Sequence, residues 1–217
     1  MDLPDSGPQT APGARPTTVA IPIRAIEGAK SRLGAVLDAE ERRDLVDTLL
    51  RRAIRAARDA RGVTQVIVVS PDGEALALAE DEGATPLRQR SRGLNPAFQE
   101  ARSAATGTRL LLLPADLPAV TGPAIDALLA AGDAAGTPSV VLVPDRHRRG
   151  TNALLLDPPD ALDPAFGGDS RAGHTWLAES ADIAFVEVDI PGLELDLDTP
   201  DDLLLAEAVR QEGVDVG

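Results

Sequence analysis

Asp196 and Asp198 alternate with leucines in Leu195-Asp196-Leu197-Asp198-Thr199-Pro200, so in extended chain the two carboxylates project on one face. Like charges so placed repel unless a cation lies between them. The residues that follow have a simpler account. Thr199 caps a helix opening on Pro200, and Asp201 and Asp202 complement its dipole. The pair itself reads as solvated surface or as the grip on a hard cation. A third aspartate, Asp116, is held between prolines in Leu113-Pro114-Ala115-Asp116-Leu117-Pro118, at the end of an apolar run. It is a turn residue or, beyond the carboxyl end of a sheet strand, a group in the ligand crevice. Together the three carboxylates are enough to hold divalent ions against phosphates. The complementary charge is Lys30, in Gly28-Ala29-Lys30-Ser31-Arg32-Leu33, the one lysine among 21 basic residues. An ammonium suits a phosphate that moves during a reaction, although one leftover lysine in so arginine-rich a chain is also compatible with chance.

Three further segments carry polar groups at expected element starts, two of them helix starts. Gly150-Thr151-Asn152-Ala153-Leu154 follows an arginine-rich loop over residues 145–149, and Phe166-Gly167-Gly168-Asp169-Ser170-Arg171 precedes a helix bearing His174. Small residues, hydroxyls and free N–H donors at a helix start make an anion site; the same residues also make an ordinary loop ending in a serine cap. His174 lies one turn into that helix, on a core face or a site face. Asn95, in Gly93-Leu94-Asn95-Pro96-Ala97, either caps a helix or reads the edge of a base.

Positioning these groups falls to an alternation of strands and helices. Apolar runs at 19–23, 66–69, 110–113, 140–143 and 153–156 have the unbroken character of strands covered on both faces. A shorter strand over 84–87 and an alternating one from Ile183 to Val188 complete the set. Between them the spacing predicts helices: one capped by Asp38 with Glu41 as reciprocal partner, others through Ala79, over 95–105, 122–131 and 171–180, and a last one from Pro200. This is an α/β domain over residues 17–212, a three-layer sandwich around a mostly parallel mixed sheet. Residues 1–16, with four prolines and little apolar content, are expected to be a disordered tail.

Bulk properties narrow the function. A net charge of −14 argues against nucleic acid and against a polybasic membrane contact. No apolar run is long enough to span a bilayer and the N-terminus lacks the pattern of a secretory signal, so a cytoplasmic protein is expected. With no cysteine and two histidines, a thiolate nucleophile and a multi-histidine zinc site are excluded, leaving carboxylates and a hard ion such as Mg²⁺.

Six segments in one order, spanning about residues 17–210, resemble the 2-phospho-L-lactate guanylyltransferases, whose bacterial members act on phosphoenolpyruvate in making coenzyme F-420. They are Ala29-Lys30-Ser31-Arg32-Leu33, Gly93-Leu94-Asn95, Pro114-Ala115-Asp116-Leu117-Pro118, Gly150-Thr151-Asn152-Ala153-Leu154, Phe166-Gly167 with Ser170 and His174, and Asp196-Leu197-Asp198-Thr199-Pro200. The resemblance implies a nucleotidyltransferase fold of the glycosyltransferase-A type and GMP transfer from GTP to a phosphorylated three-carbon acid. It also implies a further enzyme that takes up the product. Asp116, Asp196 and Asp198 would hold one or two Mg²⁺, and Lys30 and Asp116 would carry the catalysis. Arg24, Lys30, Arg32 and Asn95 would bind the nucleotide; Thr151, Gly167 and Ser170 would bind the acceptor. The chain departs from the family pattern at Arg24, where a lysine is usual, and at Gly168-Asp169, which adds a negative charge beside the anion loop. The alternatives are another nucleotidyltransferase of cytidylyl, uridylyl or molybdopterin guanylyl type, or a nucleotide-binding domain without turnover.

Overall fold

Apolar runs without polar alternation are stable as strands only when both faces are covered, and the central sheet is built from them. The computed structural model describes residues 15–24 and 30–214, with side chains through residue 208. The strands are β1 (Thr17–Pro22), β2 (Val63–Ser70), β3 (Thr85–Arg88), β4 (Arg109–Leu112), β5 (Ser139–Pro144), β6 (Thr151–Asp157) and β7 (Ala184–Glu187). They form one sheet in the order β3-β2-β1-β4-β6-β5-β7. β1, β2, β3 and β4 are parallel neighbours, as are β5 and β7, whereas β6 runs antiparallel to both β4 and β5. The sheet is therefore mixed through a single reversed strand.

Helices α1 (Ala39–Asp59), α2 (Gly73–Asp81) and α4 (Gly122–Ala135) cover one face, where Leu50, Ile54, Leu78 and Leu128 pack on Val19, Ile21, Leu111 and Val141. Helices α3 (Leu94–Ala104) and α5 (Ser170–Ser180) cover the other, where Phe98 and Leu177 meet Ala20, Ile67, Leu110 and Leu112. Adjacent leucines of β4 thus enter opposite cores, as the period of two requires. The Asp38 cap forms as the sequence predicts: its carboxylate accepts from the Glu40 and Glu41 N–H groups, and Glu41 accepts from the Asp38 N–H at 2.8 Å. A final helix, α6, spans Pro200–Val214.

Several boundaries differ from expectation by one to four residues, the strand expected at 66–69 spanning Val63–Ser70 and the helix expected at 122–131 running to Ala135. The last strand starts at Ala184, because the Ile183 N–H closes the end of α5 on the Ala178 carbonyl. Of the expected tail, residues 1–14 lie outside the described residues, but Arg15 and Pro16 are already tied in. The Arg15 guanidinium pairs with Asp157, and the Pro16 carbonyl accepts from the Arg109 N–H.

Candidate active site

The carboxyl ends of β1 and β4 deliver their outgoing loops to one rim of the sheet, and Lys30 and Asp116 lie in those loops. Lys30 has a left-handed backbone, φ 53°, a conformation that costs a non-glycine residue about 1 kcal/mol or more and is held only where surroundings fix it. That geometry begins the short 3₁₀ turn Ser31–Ala35, whose Leu33 is buried, and aims the side chain back at the rim. Gly28 and Ala29 of the same motif lie outside the described residues. The Lys30 Nζ lies 2.7 Å from Asp116 Oδ2 and 2.7 Å from Asp198 Oδ1, so it bridges the two carboxylates. Sequence reasoning placed the ammonium opposite three converging acids. Instead it lies between two of them, and among the described residues no group of three or more acidic or histidine side chains is arranged as a ready metal cage.

Electrostatics follow from that arrangement. Burial alone would lower the Lys30 pKa, but Asp116 and Asp198 outweigh it and the ammonium is held above its ordinary value. Among the described residues Asp196 has no cationic partner. Burial first, then repulsion from Asp116, Asp198 and Asp145, pushes its carboxyl up to about 6. Oxygen donors that repel one another and already attract a cation fit a hard divalent ion.

Asp196 and Asp198 ride on the segment 189–199, which is secured along its length. The Leu197 N–H donates to the Asp116 carbonyl at 3.0 Å, and the Glu194 carbonyl accepts from the Arg146 N–H and from Asn152 Nδ2, both at 2.9 Å. Asp202 does more than complement a dipole. Its Oδ2 accepts from the Asp198 N–H, the Thr199 N–H and the Thr199 hydroxyl, at 3.1, 2.7 and 2.8 Å, while Oδ1 pairs with Arg146. Sequence reasoning missed this role of Asp202 and Arg146; the spacing of Thr199 to Asp202 is that of a capping box and was the available signal.

Two hollows meet at this rim. The larger, about 1140 Å³, is lined by Arg24, Lys30, Arg32, Arg90 and Arg92. The smaller, about 490 Å³, is lined by Thr151, Gly167, Ser170 and Asp196. Asp116, Asp198 and Arg32 line both. Thr151 reaches this rim because β6 is reversed, so its first residue lies where the neighbouring strands end.

The predicted anion loop is modified in two ways. The Ser170 and Arg171 N–H groups at the start of α5 are taken by the carbonyls of Gly167 and Arg149, so hydroxyls replace helix-end donors as the polar lining. Asp169, the added charge, turns out to Arg149, with both side chains exposed. Asn95 neither caps α3, whose cap is Gly93, nor lines either hollow. Its Oδ1 accepts from the Phe166 N–H at 2.8 Å and its Nδ2 donates to the Phe166 carbonyl at 3.0 Å, pinning the loop before α5 to α3.

An arginine-rich hollow and a smaller one lined by hydroxyls and carboxylates, whose charge a divalent ion would offset, share Asp116 and Asp198 and suit the joining of two phosphate compounds. Residues 17–208 match the family described as guanylyl transferase CofC like. The chain belongs to the CofC-like guanylyltransferase family. A phosphoenolpyruvate guanylyltransferase from Sphaerobacter thermophilus is 45% identical over 191 residues, covering 86% of this chain and 91% of that protein. One from Rubrobacter xylanophilus is 44% identical, covering 87% and 92%. Among solved structures, a nucleotidyl transferase from Methanothermobacter thermautotroptrophicus superposes with TM-score 0.67 at 17% identity, covering 94% of this chain and all of that one. A CMP:2-keto-3-deoxy-manno-octonic acid synthetase complexed with CTP gives 0.64 at 14%, covering 90% and 99%. The structural likenesses carry the nucleotidyltransferase fold, and the family match favours guanylyl transfer over the cytidylyl, uridylyl and non-catalytic alternatives.

Proposed function

We propose that this chain transfers GMP from GTP to the phosphate of phosphoenolpyruvate, forming enolpyruvyl-diphosphoguanosine and pyrophosphate for coenzyme F-420 biosynthesis. The supporting observation is the junction of the two hollows at Asp116 and Asp198, bridged by Lys30. The names of the relatives favour phosphoenolpyruvate over 2-phospho-L-lactate as acceptor.

In this reading the nucleotide occupies the larger hollow, and Arg24, Arg32 and Lys30 meet its triphosphate. The acceptor occupies the smaller one, against Thr151, Ser170 and the Gly167 backbone. An oxygen of the acceptor phosphate attacks the α-phosphorus of GTP, the bond to the β-phosphate oxygen breaks, and pyrophosphate leaves. The attacking oxygen is already deprotonated at neutral pH, so no general base is needed. Both reactants are anionic, so alignment and charge neutralisation dominate the rate. Lys30 would exchange a carboxylate partner for phosphate oxygens, its flexible stem allowing the movement that a rigid guanidinium fork resists. Asp116, Asp196 and Asp198 would hold one or two Mg²⁺, which when bound would neutralise phosphate charge and the repulsion now borne by Asp196. Asn95 acts from behind, by holding the Phe166 loop.

The test is pyrophosphate release, with mass spectrometry of the product, from GTP and Mg²⁺ with phosphoenolpyruvate, 2-phospho-L-lactate or 3-phospho-D-glycerate. Fastest turnover is expected with phosphoenolpyruvate. Equal rates with CTP or UTP, or no product from any of the three acids, would overturn the proposal.

A further inference from the structure

His174 is fully buried in α5, and the transfer just described makes no use of it. Its ring has two partners whose chemistry leaves one arrangement. Nε2 lies 2.9 Å from the Ala165 backbone N–H, which can only donate, so Nε2 accepts and carries no proton. In a neutral imidazole the proton is then on Nδ1. Burial keeps the ring neutral, pushing its pKa down to about 4. Nδ1 lies 3.0 Å from Thr151 Oγ1 and therefore donates to it. The edge of the Phe166 ring, 5.0 Å away centre to centre and nearly perpendicular, holds the imidazole in this orientation.

Ser170 Oγ lies 3.2 Å from the same Thr151 oxygen. Both residues are nearly closed off from bulk solvent, at 6% and 4% exposure, yet both line the acceptor hollow. The pair carries two hydroxyl protons, and only one can be used between them. With Ser170 donating to Thr151, the Thr151 proton is left over; with the bond reversed, the Ser170 proton is left over. In either case the chain from Ala165 through His174 ends in a donor.

Resting on the functional reading above, we infer that His174 is a positioning residue: by donating to Thr151 it directs one hydroxyl proton of the Thr151–Ser170 pair into the acceptor hollow, toward an ionised carboxylate or phosphate oxygen of the small acid. A hydrogen bond to a charged oxygen is worth about 1.5–3 kcal/mol, roughly ten- to hundred-fold in affinity.

Steady-state kinetics of the full chain with Mg²⁺, GTP and phosphoenolpyruvate test this. His174→Leu is expected to raise the KM for phosphoenolpyruvate about ten-fold or more while the KM for GTP stays within about two-fold. His174→Asn, whose amide N–H stands where Nδ1–H stood, should recover most of the loss. Thr151→Val should reproduce the acceptor defect, and adding His174→Leu to it should cost nothing more. Equal increases in both KM values, additive losses in the double variant, or no recovery by Asn at an unchanged melting temperature would overturn the inference. If the Leu variant does not fold, the Asn and Val variants decide it: support requires the Asn variant near wild type and the Val variant impaired toward the acid alone. A wild-type protein that turns over none of the acids would overturn the functional reading and this inference together, whereas normal turnover with unaffected variants sinks the inference alone.

Discussion

Asp116 is the side chain on which the two hollows turn, since it touches Lys30 and lines both. Replacing it with asparagine keeps the shape and removes the charge. Asp116→Asn is expected to lower kcat by about a hundred-fold or more, read by pyrophosphate release, with a melting temperature near wild type, because Lys30 keeps Asp198. Asp196 gives a pH prediction. Its carboxyl is raised from 3.8 to about 6, so between those values the folded chain holds a proton that the unfolded chain has lost. Stability therefore falls as pH rises through that window, and the penalty is complete above about pH 6. In the presence of a chelator, Asp196→Asn should melt several degrees above wild type at pH 8, and the gain should vanish below about pH 4. Mg²⁺ should raise the melting temperature of the wild type at pH 8 and do much less for the variant.

The elements decide how those carboxylates are presented. The segment 189–199 is anchored at its end by Asp202 and at its turn by Gly192. Gly192 has φ +91°, and a Cβ there would lie 2.6 Å from the Ala119 carbonyl oxygen, on the loop that follows Asp116. Gly192→Ala is expected to destabilise by more than about 1 kcal/mol and to cut activity further than the loss of fold explains. Asp202→Ala removes a cap and leaves Arg146 without its partner. It should cost about 1–2 kcal/mol in urea denaturation and reduce kcat, because the Asp198 backbone loses its hold. The motif Thr199-Pro200-Asp201-Asp202 made the helix start legible in sequence. The return bond from Asp202 to Asp198 was not, since it depends on the curl of the chain into α6.

For the whole molecule, the acidic total and the cationic cleft are complementary. A chain of net charge −14 concentrates Arg24, Lys30, Arg32, Arg90 and Arg92 around one hollow, which focuses attraction for a polyanion where the average field repels it. Among the described residues no helix is long and apolar enough to cross a membrane. Nucleotide binding should register as thermal stabilisation. At about a hundred times Kd, GTP with Mg²⁺ is expected to add about 2.7 kcal/mol, seen as an upward shift in melting temperature that CTP and UTP do not match. Equal shifts for all three would remove guanine selectivity from the functional reading.

The alternation of apolar strands and amphipathic helices, the Asp38 cap, and the set of acidic, basic and hydroxyl residues at strand ends were all readable along the chain, because each depends on neighbours within a few positions. Tertiary structure alone decided the rest. Reversal of β6 carried Thr151 to the rim, pairing across 168 residues of sequence separation set Lys30 between Asp116 and Asp198, and Asn95 was joined to the Phe166 backbone. Local spacing encodes which face a side chain takes, whereas strand order and direction are set by how whole layers bury their apolar area, and only that global packing determines which distant charges become neighbours.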